Sequence, residues 1–148
     1  MAGIYIHVPF CKTRCIYCDF FTQTDLSPKS AYISAICKEM GLRKEYTGNE
    51  PIKTIYFGGG TPSQFSIEDF KYIFTAINDT FQIEDDAEIT LEANPDDLTS
   101  EYITALRNLS FNRISIGIQS LDDGELKFLK RRHSATKARE AVISCQNA

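Results

Sequence analysis

Cys11, Cys15 and Cys18 put three thiols within eight residues, in the segment Phe10-Cys11-Lys12-Thr13-Arg14-Cys15-Ile16-Tyr17-Cys18-Asp19-Phe20. A disulfide uses two thiols, and a closed zinc site normally uses four ligands. Three suit a metal centre that keeps one position open. A bound cation deprotonates thiols and turns each into a soft anionic donor. Three thiolates on a short loop can each take one iron of a [4Fe–4S] cube. The fourth iron then has no protein ligand and acts as a Lewis acid toward a small chelating molecule. Lys12 and Arg14 set positive charge beside such a cluster, and Phe10, Tyr17, Phe20 and Phe21 are expected to shield it from water. Both features tune a cluster's potential. The competing reading is a zinc site with His7 or another residue as fourth ligand, although no second cysteine pair follows downstream. A complete ferredoxin is a poorer fit, since its clusters need four cysteines each.

Two further stretches gain meaning beside that loop. Gly58-Gly59-Gly60-Thr61-Pro62 leaves three positions without side chains, so backbone can approach a ligand closely and offer its N–H and C=O groups. It is neither a Walker loop nor a spaced dinucleotide-binding fingerprint. Alone it would read as a tight turn; here it is suited to the amino and carboxylate ends of an amino acid-like ligand. Glu92 sits on the opposite face of its strand from Ile89 and Leu91, where an inward carboxylate needs a cationic or hydrogen-bonding partner. The other possibility is a solvated strand-end acid. Gln119 follows an Ile-x-Ile-x-Ile alternation and offers both a donor and an acceptor. Lys127, Lys130, Arg131, Arg132 and His133 read as a basic helix end on a wet face, with His133 at the surface. His7 either orients a ligand or simply packs.

These residues must be positioned by something, and the pattern around them repeats. Strands are predicted at Ile4–Val8, Ile52–Phe57, Glu88–Ala93 and Arg113–Gln119. Helical stripes follow each: Ile33, Ile36, Cys37 and Met40 in a helix capped by Ser27-Pro28 and running to about Tyr46; then Ile67, Phe70, Ile73, Phe74 and Ile77 behind a Ser66 cap. Thr99 is expected to cap a helix carrying Ile103 and Leu106, with Leu98 and Ile103 as a hydrophobic staple. A short helix from about Asp122 to Lys130 precedes a last one, capped by Ser134 and carrying Ala138, Val142 and Cys145. Strand–helix repeats at this spacing predict an α/β fold of about four βα units with a parallel sheet and right-handed crossovers. The cysteines, the glycines, Glu92 and Gln119 all lie at strand C-terminal ends, the edge where barrels and open α/β sheets bind ligands.

The 148 residues, 43% apolar and 24% charged, suffice for one globular core. A net charge of −4 argues against a nucleic-acid or anionic-membrane surface. No apolar run approaches the ~20 residues of a membrane span, and the first residues carry no secretion pattern, so the expected compartment is cytoplasmic. Five cysteines, three of them clustered, point to metal chemistry; Cys37 and Cys145 read as inert core thiols.

Tyr5-Ile6-His7-Val8-Pro9-Phe10-Cys11 with Cys15 and Cys18, Phe57-Gly58-Gly59-Gly60-Thr61-Pro62-Ser63, Leu91-Glu92-Ala93-Asn94-Pro95 and Ser115-Ile116-Gly117-Ile118-Gln119-Ser120 together resemble the radical S-adenosylmethionine (SAM) enzymes. Within them the chain is similar to the oxygen-independent coproporphyrinogen III oxidase group, over Ile4 to about Ala135. The resemblance implies a TIM-type radical-SAM barrel and a [4Fe–4S] cluster on Cys11, Cys15 and Cys18. It implies S-adenosyl-L-methionine on the fourth iron, with Tyr5, Tyr17, Gly59, Gly60, Thr61 and Glu92 as contacts, while Gln119 and Arg131 match positions that hold a second such molecule in the oxidases. It also implies reductive cleavage of that ligand to methionine and a 5′-deoxyadenosyl radical, with an electron donor that the sequence does not specify. True oxidases carry a fourth cysteine where this chain has Phe20; Cys18-Asp19-Phe20 is instead similar to the HemW branch, associated with haem binding and delivery. Haem or a porphyrin is the implied partner of the full-length parent. A complete eight-unit barrel needs ~250 residues, so residues 1–148 are expected to be the N-terminal part of one, without a second domain. Four units would leave a sheet edge open to self-association. Two other readings stay open at this point: a zinc-stabilised module, and a truncated domain that binds no cofactor by itself.

Overall fold

The computed structural model describes residues 2–148. Four strands, β1 (Ala2–Val8), β2 (Ile52–Gly59), β3 (Ile83–Ala93) and β4 (Arg113–Ile116), alternate with five helices: α1 (Lys29–Leu42), α2 (Ile67–Thr80), α3 (Ser100–Arg107), α4 (Asp123–Phe128) and α5 (Ala135–Gln146). All neighbouring strands are parallel and lie in the order β1-β2-β3-β4. A doubly wound sheet reverses its strand order at a switch point and carries helices on both faces. Here the order never reverses, and right-handed crossovers then stack successive helices on one face. The architecture is a segment of a barrel wall.

Period-two alternation decides which face is which. Ile6, Val8, Ile55, Phe57, Ile89 and Leu91 form one buried layer with Ile33 and Met40 of α1, Phe70, Ile73 and Ile77 of α2, and Leu106 of α3. Phe57 is the hub. Its ring meets Phe70 edge-on at 5.4 Å and lies 5.4 Å from Phe111, whose own ring is 5.1 Å from Phe70. Each such pair adds ~0.5–1.5 kcal/mol beyond the area buried. A second cluster, Ala93, Leu98, Ile103 and Ala141, seats α5 on α3, with Leu98 and Ile103 in the stapling arrangement. The opposite face is polar. Tyr5 pairs with Tyr56, Tyr56 with Thr90, and Glu92 with Ser115 across the parallel ladders.

Several boundaries differ from the sequence expectation: β3 starts at Ile83 instead of Glu88, β1 and β2 each extend two residues further, and three more differ for a local reason. Pro28, not Ser27, is the residue before α1, and no side chain caps that helix. Ser27 instead gives both its backbone N–H and its hydroxyl to the Asp25 carboxylate, at 2.9 Å each. A charged acceptor two residues back outcompetes the capping geometry. α1 stops at Leu42, because the Arg43 N–H is shared between the Glu39 and Met40 carbonyls and the chain tightens into a 3-10 turn, Lys44–Thr47, ending on left-handed Gly48. β4 ends at Ile116, three residues before Gln119, for a reason given with the site below.

Ser66 behaves as expected. Its hydroxyl accepts from the Asp69 N–H at 3.2 Å, and the Asp69 carboxylate accepts from the Ser66 N–H at 2.8 Å. The same carboxylate receives Lys29 from α1 at 2.6 Å. Ser66→Ala removes the first bond and leaves the Lys29 pair intact. It is expected to lower stability by ~1 kcal/mol in a urea titration, with the midpoint shifted and the slope unchanged.

Candidate functional site

The cysteine loop is tied off at its base. Phe10 and Gln23 form a one-rung parallel bridge, with Cys11 N–H donating to Gln23 O at 2.9 Å and Gln23 N–H to Pro9 O at 2.7 Å. Everything between is therefore a compact excursion from the end of β1. Inside it, Cys18 N–H closes a turn on Cys15 O, and an Arg14 guanidinium N–H reaches Cys18 O at 3.3 Å. His7 anchors the far side: its Nε2 lies 3.0 Å from the Phe21 carbonyl, which can only accept, so Nε2 carries the proton and Nδ1 is free to accept from the Tyr5 hydroxyl at 3.1 Å. His7 thus holds the loop's last residues to β1. Phe10 does not shield the loop as expected; it is fully buried against Phe65 and Tyr32, while Phe20 and Phe21 stand exposed. The bridge to Gln23 turns Phe10 back into the core.

The glycine loop packs directly on this base. Gly60 N–H donates to Val8 O at 2.7 Å, and Thr61 N–H to Phe10 O at 2.8 Å. The Thr61 hydroxyl donates to the Cys11 sulfur at 3.3 Å. Two glycines are required here. Gly59 has φ +106°, and a Cβ on it would lie 2.5 Å from the His7 ring; on Gly60 it would lie 2.7 Å from Val8 O and 3.1 Å from the Cys11 sulfur. The cysteine and glycine loops could not approach this closely with side chains between them.

Glu92, at the end of β3, accepts from the Tyr56 hydroxyl at 2.6 Å and from the Gly59 N–H at 3.2 Å. It is half-buried, partnered by neutral donors, and turned toward the glycine loop. That bond to Glu92 is the main reason the Tyr56 hydroxyl holds its proton above the usual phenol range.

The last element is the segment after α4. Arg131 donates to Asn94 Oδ1 at 2.6 Å, to the Gly117 carbonyl, to the Cys15 sulfur at 3.5 Å and to the Tyr17 hydroxyl at 3.3 Å. His133 donates from Nε2 to the Ile118 carbonyl at 3.0 Å. Two successive carbonyls that would continue the β4 ladder are thus taken by side chains. The strand stops, and Gln119 adopts a left-handed conformation with φ +69°. His133 is not at the surface as the sequence suggested; it is 95% buried, since it packs under this turn, and burial depresses its pKa. Lys12 also differs from its expected role, because its ammonium is engaged by Asp97 at 2.9 Å. The cation that reaches a cysteine sulfur through its side chain is Arg131, 116 residues further along the chain.

Cys11, Cys15, Tyr17, Cys18, Gly59, Gly60, Thr61, Glu92, Gln119 and Arg131 all line one cavity of about 340 Å³, together with Asn94 and Ser115. Tyr5 lies beside it instead, stacked on Tyr56 with ring centroids 6.1 Å apart. Burial raises the Cys11 thiol's pKa, its neighbours Cys18 and Cys15 add to that, and the Thr61 hydroxyl and Arg131 oppose it. Cys37 and Cys145 lie outside the site, against the two core clusters, and burial raises both thiols. Among the described residues no three His, Cys, Asp or Glu side chains converge closely enough to hold one ion. The donor set is three soft ligands on one short loop, facing side-chain-free backbone, which is the set an iron–sulfur cluster with one open corner would need.

Tyr56, Asn94 and Asp97 were missed by sequence reasoning. Asn94-Pro95 reads as a strand stop, and Tyr56 as one residue of an apolar strand. Its alternation opposite Phe57 was the available signal.

With this geometry in view, comparison with known proteins gives a consistent answer. Residues 5–148 match the Radical SAM superfamily, and the chain belongs to it. It is 39% identical over its full length to the heme chaperone HemW of Bacillus subtilis and 37% identical, over 95% of its length, to HemW of Haemophilus influenzae. It spans 39% and 38% of those relatives, respectively. Its fold matches that of coproporphyrinogen III oxidase (HemN) from Escherichia coli, with a TM-score of 0.89 at 22% identity, covering 98% of this chain and 34% of that one. No helix among the described residues is long and apolar enough to cross a membrane.

Proposed function

We propose that this chain is the cofactor-binding part of a HemW-type radical SAM protein that binds haem and passes it on. Cys11, Cys15 and Cys18 would hold a [4Fe–4S] cluster, and S-adenosylmethionine would lie on its open iron. When bound, this pair supplies a one-electron source and a cleavable sulfonium. The chain's own residues do the placing. Arg131 sets a fixed positive charge beside Cys15, where it offsets thiolate charge. Gly59 and Gly60 present backbone at the distance an amino acid moiety needs. Glu92 offers an acceptor for an ammonium group, already oriented by Tyr56. Thr61 and Asn94 brace the floor between them.

The observation that carries this reading is the convergence of the three thiols, the glycine loop, Glu92 and Arg131 on one cavity, although they come from four separate βα units. The chaperone branch is favoured over the oxidase by Phe20, which stands where an oxidase has a further cysteine, and by the HemW relatives. Anaerobic reconstitution of the whole protein should yield about four irons per chain with matching sulfide. Haem titration should then saturate, while coproporphyrinogen is left unchanged. Protein that takes up a single zinc and no iron under these conditions would refute the reading; porphyrinogen turnover would move it to the oxidase branch.

A further inference from the structure

Asp97 lies in the Pro95–Asp97 turn after β3, and its side chain is only 4% exposed. Four donors meet its carboxylate. Oδ1 accepts from the Lys12 ammonium at 2.9 Å and from the Arg132 guanidinium at 3.3 Å. Oδ2 accepts from the Ser63 hydroxyl at 2.8 Å and from the Gln64 amide at 2.7 Å. A carboxylate has about four acceptor positions and no donor, so its capacity is filled. Two cations on one nearly buried anion also satisfy the charge balance that burial demands.

The identity of the four donors gives this arrangement its meaning. Lys12 follows Cys11, Ser63 and Gln64 follow Thr61, and Arg132 follows Arg131. One side chain therefore grips the cysteine loop, the glycine loop and the arginine segment, each within three residues of a group that faces the cavity. We propose that Asp97 is the positioning residue of the site: it sets the mutual register of these three loops, and through them the approach of Arg131 to Cys15 and of the glycine backbone to the thiols. This rests on the function proposed above only for what the register serves. Asparagine cannot replace it, because an amide NH2 would point its own protons at two of the four donors. Asp96 provides a contrast: it pairs with Arg132 alone and is more exposed.

The test uses the whole protein in its apo and reconstituted forms. In apo protein, Asp97→Asn should speed amide hydrogen exchange about tenfold or more in both the 11–15 and 129–133 segments, while β2 and β3 keep their protection. Asp96→Asn should affect only the second segment, and Asp97→Glu should restore part of the protection. In reconstituted protein, the S-adenosylmethionine concentration needed to shift the electron paramagnetic resonance spectrum of the reduced cluster should rise about tenfold or more in Asp97→Asn. Unchanged exchange at 11–15, or exchange raised uniformly through the sheet, would overturn the proposal for Asp97 whether or not iron binds. Failure of the unmutated protein to take up iron would instead count against the function proposed above, and the exchange data would still decide the role of Asp97.

Discussion

Cys15→Ala protein, reconstituted anaerobically, is expected to hold less than about a quarter of the iron bound by the unmutated protein and to leave S-adenosylmethionine uncleaved. Cys15 isolates chemistry from packing better than its neighbours do. Cys11 is buried beneath the Thr61 hydroxyl, so truncating it would also open a void in the floor of the site. Cys15 is half-exposed, and its side-chain contacts are polar ones from Arg131 and Tyr17. Its loss should leave the far-ultraviolet spectrum and unfolding midpoint nearly unchanged while removing one of the three proposed corner ligands. Two thiolates cannot hold a cube against hydrolysis and oxidation. Full iron content in this variant would mean that the cluster is ligated elsewhere.

The second large effect is expected from Gly60→Ala. The new Cβ would lie 2.7 Å from Val8 O and 2.9 Å from the Pro9 carbonyl carbon, both backbone atoms that no rotamer change can move, and 3.1 Å from the Cys11 sulfur. Either the glycine loop lifts away from β1 or the base of the cysteine loop shifts. Overpacking of this kind costs ~1–3 kcal/mol. The functional loss should be larger than the stability loss, since the displaced groups are those that face the ligand. S-adenosylmethionine affinity, measured by equilibrium dialysis on reconstituted protein, should fall at least about a hundredfold. Gly41→Ala serves as the reference: a Cβ there meets nothing within 4 Å, and alanine in the last turn of α1 should gain stability, by less than the ~1 kcal/mol of a helix interior. Equal affinity in the two variants would show that the tight apposition of the loops is irrelevant to binding.

Most of the fold was legible because its signals are local. Alternating apolar residues in Ile52–Phe57 and Glu88–Ala93, the Ser66 and Thr99 caps, and Pro following Asn94 each act within a few residues. The cysteines, the glycines and Glu92 that line the cavity were legible for the same reason, since unusual composition at successive strand ends marks one edge. What the sequence withheld is pairing across distance. Nothing in Lys127–His133 distinguishes a cation that reaches Cys15 from one bound to Asp97, or a solvent histidine from one that stops a strand. Those roles depend on which carbonyls and carboxylates the tertiary fold brings opposite. Asp97 itself reads as one more acid in a turn until its four donors are seen.

Among the described residues each strand of the sheet pairs only with its sequence neighbours, so this part of the wall can grow unit by unit as the chain leaves the ribosome. The thiols emerge first, but the arginine that borders them comes more than a hundred residues later. Until that segment docks, the three sulfurs lie on a loop whose far rim has not been built. Metal loading is therefore expected to follow the docking of that segment, and nascent chains halted before Arg131 should capture iron poorly even though Cys11, Cys15 and Cys18 are already present.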